Sequence, residues 1–197
     1  EMCIRDRSLV RFLPELARRQ ERREWASELG GAQPLHPEGA PITTLLGAHV
    51  TIWGFGSIGQ TLAPLFTALG AKASGIARST GERAGYPVVA TEEKDELLAR
   101  TDLLVMILPS GEATADSLDA AVLKTLPDTA YVVNVGRGST VDEAALIEAL
   151  EEGRIAGAAI DVAKTEPLPA EDPLWGAPHL IITPHAAGGR PVGAEEL

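Results

Sequence analysis

Three short stretches in the last third of the sequence carry residues whose types and spacing suit carbonyl chemistry. In "VVNVGRGSTVDEAAL" an apolar run ends on Asn134, and Arg137 follows, bracketed by Gly136 and Gly138. An arginine at such a place can clamp a carboxylate through two parallel hydrogen bonds, and the flanking glycines leave it room to face a ligand. "AAIDVAKTEPLP" offers Asp161 and Glu166 just past the next apolar run, and "LIITPH" puts His185 past the one after. Glu166 and His185, on neighbouring loops, can pair, the carboxylate holding the ring so that it donates a proton near neutral pH. Each residue also has a plainer reading: Arg137 as a strand-end cap, Glu166 as a turn acid before Pro167, Asp161 as a loop cap, His185 as a hydrogen-bonded loop histidine. The three remaining histidines, His36, His49 and His179, lie beside prolines or ahead of an apolar run and read as structural or solvated.

A fourth stretch, "TIWGFGSIGQTLAPLF", packs Gly54, Gly56 and Gly59 into six residues between an apolar run and an apolar pattern of helical period. Gly54 permits a tight turn, Gly56 lets a pyrophosphate approach the backbone, and Gly59 lets the helix pack closely on the strand, its free N–H groups facing the anion. An acidic residue about 20 positions on would bind the adenosine ribose hydroxyls. Arg78 stands there instead, followed by Ser79 and Thr80. A guanidinium and two hydroxyls suit a 2′-phosphate, which favours NADP over NAD. A surface arginine with Glu82 as a displaced acid is the alternative.

These loops need strands to position them, and the chain supplies a regular series. Apolar runs at "HVTIWGF", "AKASGIA", "LLVMILP", "AYVVNVG", "IAGAAIDVA" and "HLIITPH" alternate with helical patterns at "SIGQTLAPLFTALG", "EEKDELLART", "ATADSLDAAVLKTLP" and "DEAALIEALEEGR". In the first helix Ile58, Leu62, Leu65, Phe66 and Leu69 recur at helical intervals, with Gly70 as the expected cap. Such alternation predicts crossover units and a parallel sheet covered on both faces, an α/β, doubly wound fold. Ahead of it, "PELARRQERREW" predicts a basic, solvated helix, and "GGAQPLHPEGAP" a surface linker.

Composition bounds the rest. A chain of 197 residues that is 45% hydrophobic can bury one good core. The net charge of −11 is uneven, with seven Arg against six acids in residues 1–35 and ten basic against 22 acidic residues in the remainder. An acidic body argues against nucleic acid or an anionic membrane as partner, and no apolar run approaches the length of a membrane span. The single cysteine, Cys3, gives no disulfide, so the chain reads as cytoplasmic, and no cluster of His, Cys and acids has metal-ligand spacing.

Taken in order, "GFGSIGQTLA", "VVNVGRGSTVDEAALIEALEEGRIAGAAIDV", "TEPLPAEDPLW" and "TPHAAGG" resemble the nucleotide-binding domain of the D-isomer-specific 2-hydroxyacid dehydrogenases, the family of phosphoglycerate dehydrogenase and glyoxylate/hydroxypyruvate reductase. The resemblance runs from about Ser8 to the end and implies a Rossmann-type fold and reversible reduction of a small 2-oxo acid to the D-2-hydroxy acid with NAD(P)H. It implies that Arg137 binds the carboxylate and carbonyl oxygen, that His185 is the general acid/base with Glu166 as its orienting partner, and that Asp161 meets the nicotinamide carboxamide. The cofactor would lie along Gly54, Gly56, Ser57, Ile58, Gly59, Arg78, Ser79, Pro109, Thr114, Val135, Gly136, Asp161 and Ala187.

The sequence departs from the family at "LPSGEAT", which stands for L-P-x-T-x-x-T, and at the missing acid after the second strand. The resemblance also implies a homodimer, with residues 1–30 as a helix packing across it, 31–41 as linker, 42–190 as the dinucleotide-binding domain and 191–197 as the start of a further segment. Residues 1–7 match no organised element and read as non-native sequence, and the chain reads as a fragment lacking most of the family's substrate domain. A nicotinamide-dependent corepressor or sensor on the same scaffold is the competing reading. Formate dehydrogenase shares the scaffold too, but its relatives carry Gln where Glu166 stands.

Overall fold

The computed structural model describes residues 8–29 and 38–188. In it the apolar runs become β1 (His49–Trp53), β2 (Lys72–Ala77), β5 (Leu103–Met106), β6 (Tyr131–Asn134), β7 (Gly157–Ile160) and β8 (Leu180–Ile182), with a hairpin of β3 (Gly81–Arg83) and β4 (Tyr86–Ala90) between β2 and β5. They form one eight-stranded sheet in the order β3-β4-β2-β1-β5-β6-β7-β8. Every pairing is parallel except β3 with β4. The order reverses at β1, which lies between β2 and β5, and ligands of doubly wound sheets bind outside the strand ends at that reversal.

The helices are α1 (Leu13–Glu21), α2 (Ser57–Ala68), α3 (Asp95–Leu98), α4 (Ala120–Thr125) and α5 (Glu143–Glu151). They explain why the strands read as unbroken apolar runs. Leu104 and Met106 face one core with Leu98, Leu123 and Leu146 from α3, α4 and α5, while Leu103 and Val105 face a second with Leu62 and Phe66 from α2. Burying side chains of this size contributes roughly 1.5–3 kcal/mol each. Leu9 and Val10 also enter the second core, so the N-terminal segment is docked by its first described residues.

Several expectations are adjusted. Only Leu62 and Phe66 of the five periodic residues in α2 are buried, beside Gly59 and Ala63, and Ile58, Leu65 and Leu69 lie on the outer face. Gly70 does end the helix, at φ 85°. Its N–H donates to the Thr67 carbonyl and that of Ala71 to the Phe66 carbonyl, which closes the last turn. The helix expected over "EEKDELLART" shrinks to a 3-10 turn and α3. There the Thr101 hydroxyl bonds the Leu97 carbonyl at 2.8 Å and pairs with buried Thr51 at 2.7 Å, turning the chain into β5. The basic helix stops at Glu21, leaving Trp25 92% exposed. Most of the expected linker, and the segments 1–7 and 191–197, lie outside the described residues.

Candidate active site

The ends of β6, β7 and β8 are in register, Asn134 beside Ile160 and Ile160 beside Ile182. Arg137, Asp161 and His185 follow these three residues, so adjacent strands deliver all three to one end of the sheet. Buried Asn134 shapes the first loop. Its amide Nδ2 donates to the Arg137 carbonyl at 3.1 Å, its Oδ1 accepts from the Gly136 N–H at 3.0 Å, and the Thr140 hydroxyl donates to the same Arg137 carbonyl at 2.7 Å. With its backbone so held, the Arg137 side chain is exposed; Nη1 donates to the Gly136 carbonyl at 2.7 Å, and no carboxylate among the described residues pairs with it. Gly138 lies against the Ala163 backbone too closely to admit a Cβ, which packs the Arg137 loop onto the loop that leads to Glu166.

That second loop is tied down from two sides. The Lys164 N–H donates to Glu143 Oε1 at 2.7 Å, and Lys164 Nζ pairs with Asp116 at 2.7 Å. Burial raises the Glu143 carboxyl above the ordinary carboxylate range, against the lowering effect of the Lys164 N–H. Glu166 then accepts from the Ala163 N–H at 3.0 Å and meets His185 Nδ1 at 2.7 Å. The bond to His185 holds the Glu166 carboxyl below its usual value, its burial working the other way.

Asp161 positions the histidine from behind. It is 1% exposed, and its carboxylate accepts from the Thr183 hydroxyl at 2.5 Å and from the N–H groups of Ala186 at 3.0 Å and Ala187 at 2.7 Å. Its carbonyl accepts from the His185 N–H at 2.8 Å. His185 itself sits at φ 52°, a left-handed conformation that a non-glycine residue holds only where its surroundings impose it. The expected cofactor residue Asp161 thus has a task in the loop, and the Ala187 N–H is taken by it. Glu166 and His185 open onto a cavity of about 570 Å³ walled by Pro167, Leu168, Ile182 and Trp175, whose indole donates to the Pro169 carbonyl at 2.8 Å.

A second cavity, about 590 Å³, lies where β1, β2 and β5 end, at the sheet's reversal. Gly54, Gly56, Arg78, Pro109 and Thr114 line it, as do Trp53, Phe55, Arg83 and Glu92, which sequence reasoning missed. Gly54 turns at φ 108°, and a Cβ there would stand 2.6 Å from the Ile107 carbonyl oxygen. A Cβ on Gly59 would come within 2.8 Å of the Gly54 carbonyl oxygen, whereas Gly56 has nothing within 4 Å. Gly56 is also the N-cap of α2 and offers no side chain to the first-turn amides. Open space and unclaimed N–H groups at a helix start fit a pyrophosphate. Ser57 and Ile58 occupy that first turn, exposed. Val135 and Gly136, also expected at the cofactor, follow β6 and line neither cavity; their N–H groups are given to the Met106 carbonyl and to Asn134.

The adenosine end differs from expectation in three residues. Glu82, the displaced acid, sits exposed in β3 opposite Pro87 and does not line the cavity. Thr80 is consumed by the hairpin, donating to Glu93 at 2.5 Å and accepting from the Ala90 N–H at 2.8 Å. Arg83 takes its place, with Nη2 donating to Ser79 Oγ at 2.9 Å. At the other end the Thr114 hydroxyl donates to the Pro109 carbonyl at 2.6 Å, which keeps the variant "LPSGEAT" loop closed.

Residues 7–187 match the NAD binding domain of the D-isomer specific 2-hydroxyacid dehydrogenases. The chain is 40% identical over 147 residues to glyoxylate/hydroxypyruvate reductase A of Salmonella paratyphi B, an alignment covering 74% of this chain and 47% of that protein. It therefore spans about half the length of such relatives. Among solved structures it resembles a D-isomer specific 2-hydroxyacid dehydrogenase of Xanthobacter autotrophicus in complex with NADPH and MES, at TM-score 0.76 and 32% identity over 90% of this chain and 53% of that one. It also resembles an NADPH-dependent glyoxylate/hydroxypyruvate reductase of Sinorhizobium meliloti in complex with NADP and sulfate, at TM-score 0.79 and 29% identity over 92% of this chain and 55% of that one. The match over nearly the whole chain, on a sheet that reverses at its glycine-rich turn, settles its kinship: the chain belongs to the D-isomer specific 2-hydroxyacid dehydrogenases, an oxidoreductase family, and carries their NAD-binding domain.

Proposed function

We propose that the intact protein reduces a small 2-oxo acid of the glyoxylate or hydroxypyruvate type to the D-2-hydroxy acid, reversibly. The observation that carries this reading is the 2.7 Å pair of Glu166 with His185 Nδ1, on a loop braced by buried Asp161, one strand beyond the Arg137 loop. Arg137 binds the substrate carboxylate and the carbonyl oxygen, so orientation and charge stabilisation fall to one group. With Nδ1 turned to Glu166, His185 presents Nε2 to the substrate and gives the carbonyl oxygen its proton as that oxygen gains charge. A nicotinamide cofactor held at the glycine-rich turn by Gly54 and Gly56 would supply the hydride that, with this proton, completes the alcohol.

NADP is favoured over NAD on the strength of Arg78, with Ser79 beside it and no acid at the end of β2. The support for a homodimer is apolar surface left uncovered on the N-terminal segment, where Leu13 is 51%, Leu16 36% and Trp25 92% exposed. We read residues 1–30 as the dimer-packing segment, 42–190 as the dinucleotide-binding domain, and the protein as cytoplasmic. Sedimentation should report a dimer that Trp25→Glu weakens. A monomer insensitive to that change would discard the assignment.

The test of activity is oxidation of NADPH and of NADH, followed by absorbance in the intact protein, with glyoxylate, hydroxypyruvate and a phenyl-substituted 2-oxo acid. His185→Ala should lower turnover by about 10²- to 10⁴-fold while sparing cofactor affinity. Undiminished turnover ends the assignment of His185. Binding of both cofactors with consumption of neither would put a nicotinamide sensor ahead of the reductase.

A further inference from the structure

We propose that Arg83, carried on the edge hairpin, is a second determinant of cofactor choice: with Arg78 and Ser79 it completes a site for the 2′-phosphate of NADP. The proposal rests on the NADP reading above and adds to it a residue that no motif in the sequence marks. Arg83 is half-buried at the end of β3 and lines the cavity at the sheet's reversal together with Arg78. Its guanidinium bridges two elements of that cavity. Nη2 donates to Ser79 Oγ at 2.9 Å and to the Ser79 carbonyl at 3.4 Å, and Nη1 reaches the Phe55 carbonyl, inside the glycine-rich turn, at 3.4 Å. Five N–H groups are available to an arginine, so Nε and one hydrogen of Nη1 have no protein acceptor among the described residues.

Two features point to an anion as the missing partner. Neither Arg78 nor Arg83 is paired with a carboxylate among the described residues, in a protein of net charge −11. Glu92, the one carboxylate lining the cavity, pairs with neither. Ser79 supplies the second feature. Because its oxygen accepts from a guanidinium, its own hydrogen is directed elsewhere, and a phosphate oxygen is the acceptor such a polarised hydroxyl suits. Thr80, which the sequence offered for this task, is already engaged, its hydroxyl donating to Glu93 in the turn after β4 and accepting from the Ala90 N–H. The resulting site holds two guanidinium groups and one hydroxyl, with Arg83 fixing the Ser79 loop to the turn beneath the pyrophosphate. Lysine could keep the charge at position 83 but could not span Ser79 and Phe55 at once.

The test uses calorimetric titration of the chain with 2′,5′-ADP and with 5′-AMP, which differ by the 2′-phosphate alone. The wild type should bind 2′,5′-ADP more tightly. Arg83→Ala should weaken 2′,5′-ADP by about ten-fold or more while 5′-AMP stays within about two-fold, the loss of charge-assisted hydrogen bonds setting the scale. Arg83→Lys should fall between. Ser79→Ala should cost less than Arg83→Ala, and the double variant should lose less than the product of the two, as residues in one network do. If Arg83→Ala weakens both ligands equally, it serves only to hold the turn, and the proposal is overturned; no change with either ligand overturns it as well. Should the wild type bind both ligands alike, the NADP reading itself fails. A wild-type preference abolished by Arg78→Ala but kept in Arg83→Ala would sink Arg83 alone.

Discussion

The acid/base end of the sheet edge, at the first cavity, and the adenosine end, at the second, are built on opposite plans. At the acid/base end every polar group named except the Arg137 guanidinium is already satisfied by the protein: Asp161 is buried among three donors, Glu166 holds both Ala163 and His185, and Asn134 closes the backbone of the Arg137 loop on itself. At the adenosine end two guanidinium groups stand on exposed loops and a three-residue edge strand, without a carboxylate between them. The difference follows from what each end must do under the proposed function. Proton transfer needs a ring held to a fraction of an ångström, and hydrogen-bonded neighbours at the ends of three adjacent parallel strands provide that. Recognition of a phosphate tolerates looser geometry, because charge attraction falls off gently with distance and arginine offers several donors. Preorganisation therefore dominates the first site, where Arg137 alone lacks a carboxylate partner, and unpaired charge dominates the second.

Breaking the preorganised end should have the largest effect. Asp161→Ala leaves the Thr183 hydroxyl and the N–H groups of Ala186 and Ala187 without their acceptor in a site 1% exposed. Stranding a donor costs roughly 1–3 kcal/mol, toward the lower figure where water reaches it, as it does on half-buried Thr183 and Ala187 and exposed Ala186, so chemical denaturation should show a loss of about 2–3 kcal/mol. Turnover should fall with it, because His185 loses the brace that imposes its left-handed backbone. Asp161→Asn, which keeps one acceptor oxygen, should recover part of both losses. A wild-type denaturation midpoint in Asp161→Ala would show that the loop is held by something else and would dissolve the contrast between the two ends.

The sequence made these two ends unequally legible, and for the same structural reason. Arg137 and Asp161 each follow an apolar run that becomes a fully buried inner strand of a parallel sheet, where both faces are covered and the run announces itself, and His185 follows the apolar run of β8, which is half-buried at the sheet's edge. Arg83 follows no such run. Its strand, "GER", is polar and short, the turn residues Ala84 and Gly85 make a weak hairpin signal, and Pro87 argues against a strand at β4, which tolerates it because the pairing with β2 begins only at Val88. An edge strand can be built from such residues because only one side is paired. In α2 the periodicity was readable but its direction was not: leucines at helical spacing fill the inner face at Leu62 and the outer face at Leu65 and Leu69 alike. The task of Asp161 within the protein was equally hidden, since its three donors come from 22 to 26 residues further along the chain.

A smaller effect sharpens the contrast within the preorganised end itself, because Glu166, unlike Asp161, is partly open to solvent. Its side chain is 38% exposed in the pair with His185, so water screens much of the attraction and the pair contributes less than about 1 kcal/mol to folding. The sign of its pH dependence is fixed by the direction of the shift. His185 holds the Glu166 carboxyl below its ordinary value of 4.5, so the folded state favours the ionised form. That contribution is complete above the unfolded value and disappears as pH falls through the lowered folded one. Glu166→Gln should thus lose a little stability near neutral pH and none at the acid end, the two denaturation curves converging below about pH 4. Turnover should drop by about ten-fold across the neutral range, since an amide still touches the ring but no longer holds a charge against it. Curves that stay parallel into acid would mean that the carboxylate matters for its shape, and the Glu166–His185 pair would then belong with the packed part of the loop, as Asp161 does.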